Sequence, residues 1–191
     1  MLPADAGQVL LPLARAAIAA ELGRPVTPPI ADWLAEPGAS FVTLTIGGHL
    51  RGCIGSLQAY QSLGADVVGN ARQAAFRDRR FPPLRASEFE QITIEVSVLT
   101  EPEPLSFTDV PDALRQLRPG IDGVVLRRGT QRATFLPQVW EQLPQPSAFL
   151  KALLIKAGLT GWDDQIALET YQVRAWTEPE SGPADPGAST A

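Results

Sequence analysis

The 191 residues include one cysteine, one histidine and one methionine. With a single cysteine no intrachain disulfide can form, so the core and its hydrogen bonds must hold the fold. One cysteine and one histidine cannot complete a four-ligand zinc site, although carboxylates are able to fill out a mixed one. No metal and no cofactor is expected. No apolar run approaches the ~20 residues of a membrane span, and the N-terminus lacks the basic start of a secretory signal. A cytoplasmic protein is expected. Positive charge is short too: 16 Lys and Arg against 21 Asp and Glu leave a net charge of −5. Nucleic-acid binding by bulk electrostatics is therefore not expected, and any basic patch must be local. Hydrophobic residues make up 45% of the chain, enough for the core of one or two small domains.

The rare residues lie together. Leu50-Arg51-Gly52-Cys53-Ile54-Gly55 holds the cysteine, with His49 four residues upstream of it. Residues 41–46 read as a strand, Gly47-Gly48 suit the positive φ of a two-residue turn, and 49–54 return antiparallel. In an unbroken extended arm the side chains at 49, 51 and 53 share one face, with Arg51 roughly 6–7 Å from Cys53 and His49 roughly 13 Å away. Arg51 is then the cation placed to favour the thiolate, and a direct Cys–His dyad is not expected. Gly52 and Gly55 leave bare backbone on either side of the sulfur, which suits a bulge or the approach of a ligand or another segment.

Val9, Leu10, Leu13, Ala14, Ala17 and Ile18 recur at helical spacing between a cap at Asp5 and a stop at Gly23. Pro12 must bend this helix or mark its start. Residues 25–38, with Pro25, Pro28, Pro29 and Pro37, read as a loop. Ser62 caps a second helix through Leu63, Val67, Ala71, Ala74 and Ala75, which ends near Asp78 because Pro82-Pro83 follow. Residues 91–99 set Ile92, Ile94, Val96 and Val98 against Thr93, Glu95 and Ser97, the clearest strand in the chain. Residues 101–104 break the pattern as a hinge. Beyond it come a short helix near 109–117, a hairpin of 123–126 and 133–136 around Gly129-Thr130, and a turn opened by Pro137. A helix from Ser147 to Gly158 and a last strand over 166–176 complete the fold, and 177–191 reads as a disordered tail. The expected class is α+β. A larger subdomain (1–104 and 166–176) holds an antiparallel sheet of 41–46, 49–54 and 91–99 packed by the first two helices, and 105–165 forms a smaller mixed α/β lobe.

Six stretches carry a family likeness: Leu50 to Gly55 as quoted; Ala74-Ala75-Phe76-Arg77-Asp78-Arg79-Arg80-Phe81-Pro82-Pro83; Ile94-Glu95-Val96-Ser97-Val98-Leu99; Asp122-Gly123-Val124-Val125-Leu126; Ala133-Thr134-Phe135-Leu136-Pro137-Gln138-Val139-Trp140; and Lys156-Ala157-Gly158-Leu159. Over about residues 8–176 the chain resembles the AMMECR domain family, whose bacterial branch is called AmmeMemoRadiSam system protein A. Ser56 follows Gly55 where a threonine is common in the family, and both keep the hydroxyl. The resemblance implies an α+β fold of two subdomains with the cysteine motif near the cleft between them. It implies no established activity. It does imply a shared pathway with a Memo-like protein and a radical SAM protein, or a regulatory role.

Cys53 is the leading candidate for a reactive group, weighed against a buried structural thiol. Glu95, on the polar face of its strand, is either a general base or the ion-pair partner of Arg51. Cys53, Arg51 and Glu95 form the candidate catalytic set. Gly52, Gly55, Ser56, Asp78 and Arg80 are the candidate substrate contacts, Asp78 and Arg80 reading first as a fixed turn after the second helix. His49 reads as a solvated turn residue. Arg72, Arg77, Arg79 and Arg80 gather at a helix end where cations favour the dipole, phosphate or RNA contact being the alternative. Two function classes follow. One is a thiol-dependent enzyme or accessory protein acting on a small-molecule or protein substrate; the other is a non-catalytic module holding an anion, nucleic acid or partner peptide in the same cleft.

Overall fold

α1 (Gly7–Glu21) forms because Leu10, Leu13, Ala14, Ala17 and Ile18 make one apolar stripe, and the computed structural model buries all five. It describes residues 2–24 and 26–179. The helix runs through Pro12, which lies on its exposed side, where solvent is able to reach the carbonyl that proline leaves without a donor. Ala6, not Asp5, stands at the N-cap, and no side chain caps the helix.

The chain divides into two compact units, Met1–Val98 with Ala175–Ala191, and Leu99–Arg174. In the first, β1 (Pro37–Ile46) and β2 (His49–Gly55) pair antiparallel through the Gly47-Gly48 turn, whose φ angles of 56° and 77° require glycine. β3 (Gln61–Ser62) pairs with the start of β1, so the strand begins at Pro37 inside the segment expected to be loop. α2 (Leu63–Phe76) is capped by Ser62, whose hydroxyl accepts the amide of Ala65. β4 (Ile92–Leu99) and β9 (Val173–Thr177) complete the sheet in the order β2-β1-β4-β9. The inward residues of β1 and β4, Val42, Leu44, Ile92, Ile94, Val96 and Val98, pack with the stripes of α1 and α2 into one core. Each large aliphatic side chain withdrawn from water there contributes about 1.5–3 kcal/mol. The alanines at 14, 17, 71, 74 and 75 bury little area but let the helices approach closely.

The second unit is a four-stranded sheet in the order β5-β8-β6-β7, with β5 (Glu103–Leu105), β6 (Gly123–Arg128), β7 (Gln131–Phe135) and β8 (Ala167–Tyr171). α3 (Val110–Gln116) and α4 (Pro146–Lys156) cover one face, and Trp140 stacks on Phe149 at 3.7 Å between ring centres. Three local expectations change here. β5 begins inside the hinge expected at 101–104, and Pro104 is tolerated there because the strand is an edge. α4 starts at Pro146 with Gln145 at the N-cap, since proline's fixed φ favours the first helical position over a Ser147 cap. The strand expected over 166–176 is two strands. β8 pairs with β5 and β6, and after Gln172 the chain joins the other sheet as β9, so the larger unit reclaims only residues from Ala175 onward.

The first residues of the tail expected over 177–191 are ordered. Thr177 closes β9, and the Glu178 carboxylate accepts from Arg15 Nε at 2.7 Å and from the amide of Ile94 at 2.9 Å. Residues 180–191 lie outside the described residues.

Candidate functional site

β2 is an edge strand, and its register carries the site. Leu44 faces Gly52 while Thr45 faces Leu50, so Arg51 is the extra residue of a β-bulge. A one-residue insertion reverses the alternation beyond it. His49 pairs with Ile46 and Cys53 with Thr43, which places the two on opposite faces instead of the common face expected for 49, 51 and 53. Cys53, half-buried, therefore stands beside Thr43 on the face away from α1 and α2.

Both backbone groups of Cys53 point away from β1. Its N–H donates to Asp78 Oδ2 at 3.0 Å, and its carbonyl accepts from Arg80 Nη2 at 3.1 Å. Cys53 and Thr43 thus form a pair without mutual backbone hydrogen bonds, the kind in which side chains approach most closely. The Thr43 hydroxyl accordingly lies 3.3 Å from Sγ as a donor. Asp78 and Arg80 are joined to each other by contacts at 2.9 Å and 2.6 Å, so one ion pair closes the open edge of the strand at the cysteine. Asp78 is 6% exposed, and the Arg80 guanidinium, then its other donors, hold its carboxyl far below the usual carboxylate range. Asp78 in turn raises the Arg80 guanidinium, and the nearby Cys53 adds to this. The cation hydrogen-bonded to Cys53, through its backbone carbonyl, is Arg80.

Arg51 is engaged elsewhere. Its guanidinium makes a two-point contact with Glu88, Nε to Oε1 at 2.9 Å and Nη2 to Oε2 at 3.1 Å, and its side chain is 11% exposed. This contact, ahead of the Arg85 amide, draws the Glu88 carboxyl down. Glu95, expected as the partner of Arg51, instead accepts from Thr177 at 3.1 Å and from Ser97 at 3.4 Å. The reason is the bulge, which sends Arg51 to the segment after α2 and leaves Glu95 with its neighbours on β4 and β9.

The glycines have steric jobs. A Cβ on Gly52 would lie 2.1 Å from the Ala74 carbonyl oxygen, so Gly52 lets α2 rest on β2 from the core side. A Cβ on Gly55 would enter the Phe41 ring at 2.2 Å. Ser56 donates to Asp66 Oδ1 at 2.7 Å and belongs to a buried network. In that network the Asp66 carboxylate, 1% exposed, also accepts from the Ser40 amide and hydroxyl, from Asn70 and from Gln61. Of the basic cluster, Arg72 approaches Glu21 only at 3.9 Å on the surface and Arg80 turns to Asp78.

Thr43, Glu88, Asp66 and Asn70 were not singled out from sequence. For Asp66 and Asn70 a signal exists, two polar residues four apart on the apolar face of α2, where an unsatisfied polar group would be costly. For Thr43 and Glu88 there is none short of the register and the fold.

The AMMECR1 family model matches residues 11–176. The chain belongs to the AMMECR1 family. Among AMMECR1-family relatives, a protein of Methanothermobacter thermautotrophicus is 36% identical over 186 residues, covering 91% of this chain and 95% of that one. The protein MK0488 of Methanopyrus kandleri is 36% identical, covering 95% and 92%. The crystal structure of the uncharacterized protein PH0010 from Pyrococcus horikoshii superposes with a TM-score of 0.76 at 29% identity, covering 94% of both chains. The α+β architecture is therefore common to this chain and that structure.

Proposed function

We propose that this AMMECR1-family protein works through the Cys53 thiol, as a thiol-dependent enzyme or accessory protein acting alongside a Memo-like and a radical SAM protein. What carries the reading is the hydroxyl of Thr43 donating to a half-buried sulfur whose own backbone is clamped by Asp78 and Arg80. Such a clamp fixes the position of a nucleophile before substrate arrives, which lowers the entropic part of a barrier. Arg80, with 55% of its side chain exposed, faces the same strand segment and favours an anionic or carbonyl-bearing electrophile. In the reaction Sγ loses its proton to solvent and its electron pair adds to a carbonyl carbon, the C=O π pair moving onto the oxygen, whose negative charge the Arg80 guanidinium favours.

A second reading, a non-catalytic module that holds an anion or partner peptide beside Arg80, is favoured by one observation. Among the described residues no carboxylate or imidazole is hydrogen-bonded to Sγ to serve as its base.

Alkylation by iodoacetamide at neutral pH, followed by mass spectrometry, separates the two. The native thiol is expected to react, Arg80→Met and Thr43→Val to slow it several-fold, and Arg51→Met to leave it unchanged. A thiol that reacts only in denaturant rejects the thiol-dependent reading and leaves the binding module.

A further inference from the structure

Positive charge is scarce in this chain, yet residues 72–85 hold five arginines against one carboxylate, Asp78. Three of the five are answered. Arg72 lies 3.9 Å from Glu21, Arg80 is paired with Asp78, and the charge of Arg85 acts on Glu88. Arg77 and Arg79 flank Asp78 on either side, both are exposed, and neither makes a side-chain hydrogen bond or ion pair among the described residues. The dipole of α2 accounts for a cation at Arg77, the residue that ends the helix, but not for a second at Arg79 beyond it. Arg80 adds a third open donor group. Its Nε and Nη2 are spent on Asp78 and on the Cys53 carbonyl, while Nη1 has no partner and the side chain is 55% exposed. A tight turn holds the backbone that bears these arginines, the Asp78 carbonyl accepting the amide of Phe81 at 3.0 Å and the Asp78 carboxylate that of Arg80 at 3.1 Å. Solvent-reachable guanidinium groups are thereby gathered on the segment that clamps Cys53.

We propose that this turn binds a phosphate group, free or as a phosphate monoester, through Arg77, Arg79 and Nη1 of Arg80. That group is the handle of the electrophile if Cys53 is a nucleophile and the ligand itself if it is not, so the inference rests on the reading of a ligand beside Arg80. Charge favours phosphate over a carboxylate. A phosphate monoester carries about −1.5 to −2 charges at pH 7 and three acceptor oxygens, which suits two unpaired guanidinium groups and the open edge of a third. A carboxylate brings one charge and is satisfied by a single arginine, as Asp78 is by Arg80. Asp78 itself is buried with both oxygens engaged, so it offers no bare carboxylate to repel the anion. Because Arg77, Arg79 and Arg80 are exposed, a solute reaches them without any opening of the fold.

The test is NMR of the arginine Nε–H groups of the full chain at about pH 7.5, where a phosphate second pKa of about 6 leaves the dianion. Inorganic phosphate, glycerol 3-phosphate and acetate are titrated at matched ionic strength. Both phosphates are expected to shift the Arg77, Arg79 and Arg80 resonances with one common midpoint, and acetate to bind at least about tenfold more weakly, the equivalent of one charge-assisted hydrogen bond. Tighter binding of the ester than of inorganic phosphate identifies a monoester as the natural occupant, and equal or weaker binding identifies free phosphate. Arg77→Gln and Arg79→Gln change exposed side chains without partners and so leave the fold intact. Each should weaken phosphate binding by about fivefold. Arg115→Gln, which removes the same charge from the second unit, should leave it unchanged. Since an anion bound near the sulfur opposes the thiolate, phosphate should also slow alkylation of Cys53 by iodoacetamide with that same midpoint. A thiol that is unreactive in the native protein rejects the thiol-dependent reading but not the phosphate site, which the arginine resonances decide alone. No saturable shift, acetate binding as tight as phosphate, a loss in Arg115→Gln as large as in the other two, or a reactive thiol indifferent to saturating phosphate would each overturn the proposal.

Discussion

Asp78, 25 residues from Cys53 in sequence, accepts that residue's backbone N–H at 3.0 Å and so takes the place a neighbouring strand would occupy. Arg80 returns from the same carboxylate to the Cys53 carbonyl. An edge strand is thereby closed by an ion pair at the residue that carries the candidate chemistry, which both blocks edge-to-edge pairing and fixes the sulfur.

The Asp78 carboxyl, depressed in the folded state mainly by Arg80, contributes stability that is present above its unfolded pKa and lost as pH falls toward the folded value. The stability gap between wild type and Asp78→Asn should therefore be constant above about pH 5 and shrink below about pH 4. Urea unfolding across that range measures it. A gap that widens on acidification would contradict the assignment.

Arg51 and Glu88 should behave as a coupled pair. Arg51→Met or Glu88→Gln alone is expected to cost about 1.5–3 kcal/mol, the range for charge-assisted hydrogen bonds, and the double variant less than the sum. Arg51→Met combined with Glu95→Gln should be additive, because the two do not pair. Denaturant-unfolding cycles decide between the partners.

Two glycine substitutions should move in opposite directions. Gly52→Ala drives a Cβ to 2.1 Å from the backbone oxygen of Ala74. It should destabilise by about 1–3 kcal/mol or more. Gly69→Ala, inside α2 with nothing within 4 Å of the added carbon, should stabilise by about 0.5–1 kcal/mol. Thermal melts of the two variants provide the comparison.

Glu178 ties the end of β9 to α1 and β4, so Glu178→Ala should cost about 1.5–3 kcal/mol. For a chain of this size that is roughly 2–4 °C of melting temperature per kcal/mol. An unchanged melting temperature would mean that the contacts with Arg15 and Ile94 are not kept in solution.

Local signals in the chain were enough for the hairpin around Gly47-Gly48, the Ser62 cap of α2 and the alternation of β4, because each is encoded within a few neighbouring residues by φ preference, side-chain hydrogen bonding or a period of two. They also singled out Cys53 as a candidate reactive group, and Asp78 and Arg80 as a fixed turn or candidate substrate contacts. What they did not decide was pairing. Arg51 went to Glu88 instead of Glu95, His49 left the face of Cys53, Asp66 gathered its donors inside, and Glu178 reached Arg15 across 163 positions. Each of these depends on a one-residue bulge or on packing between segments distant in sequence. Local composition does not encode either, since one inserted residue reverses every side chain beyond it and a charged group takes the partner that the assembled core brings within reach.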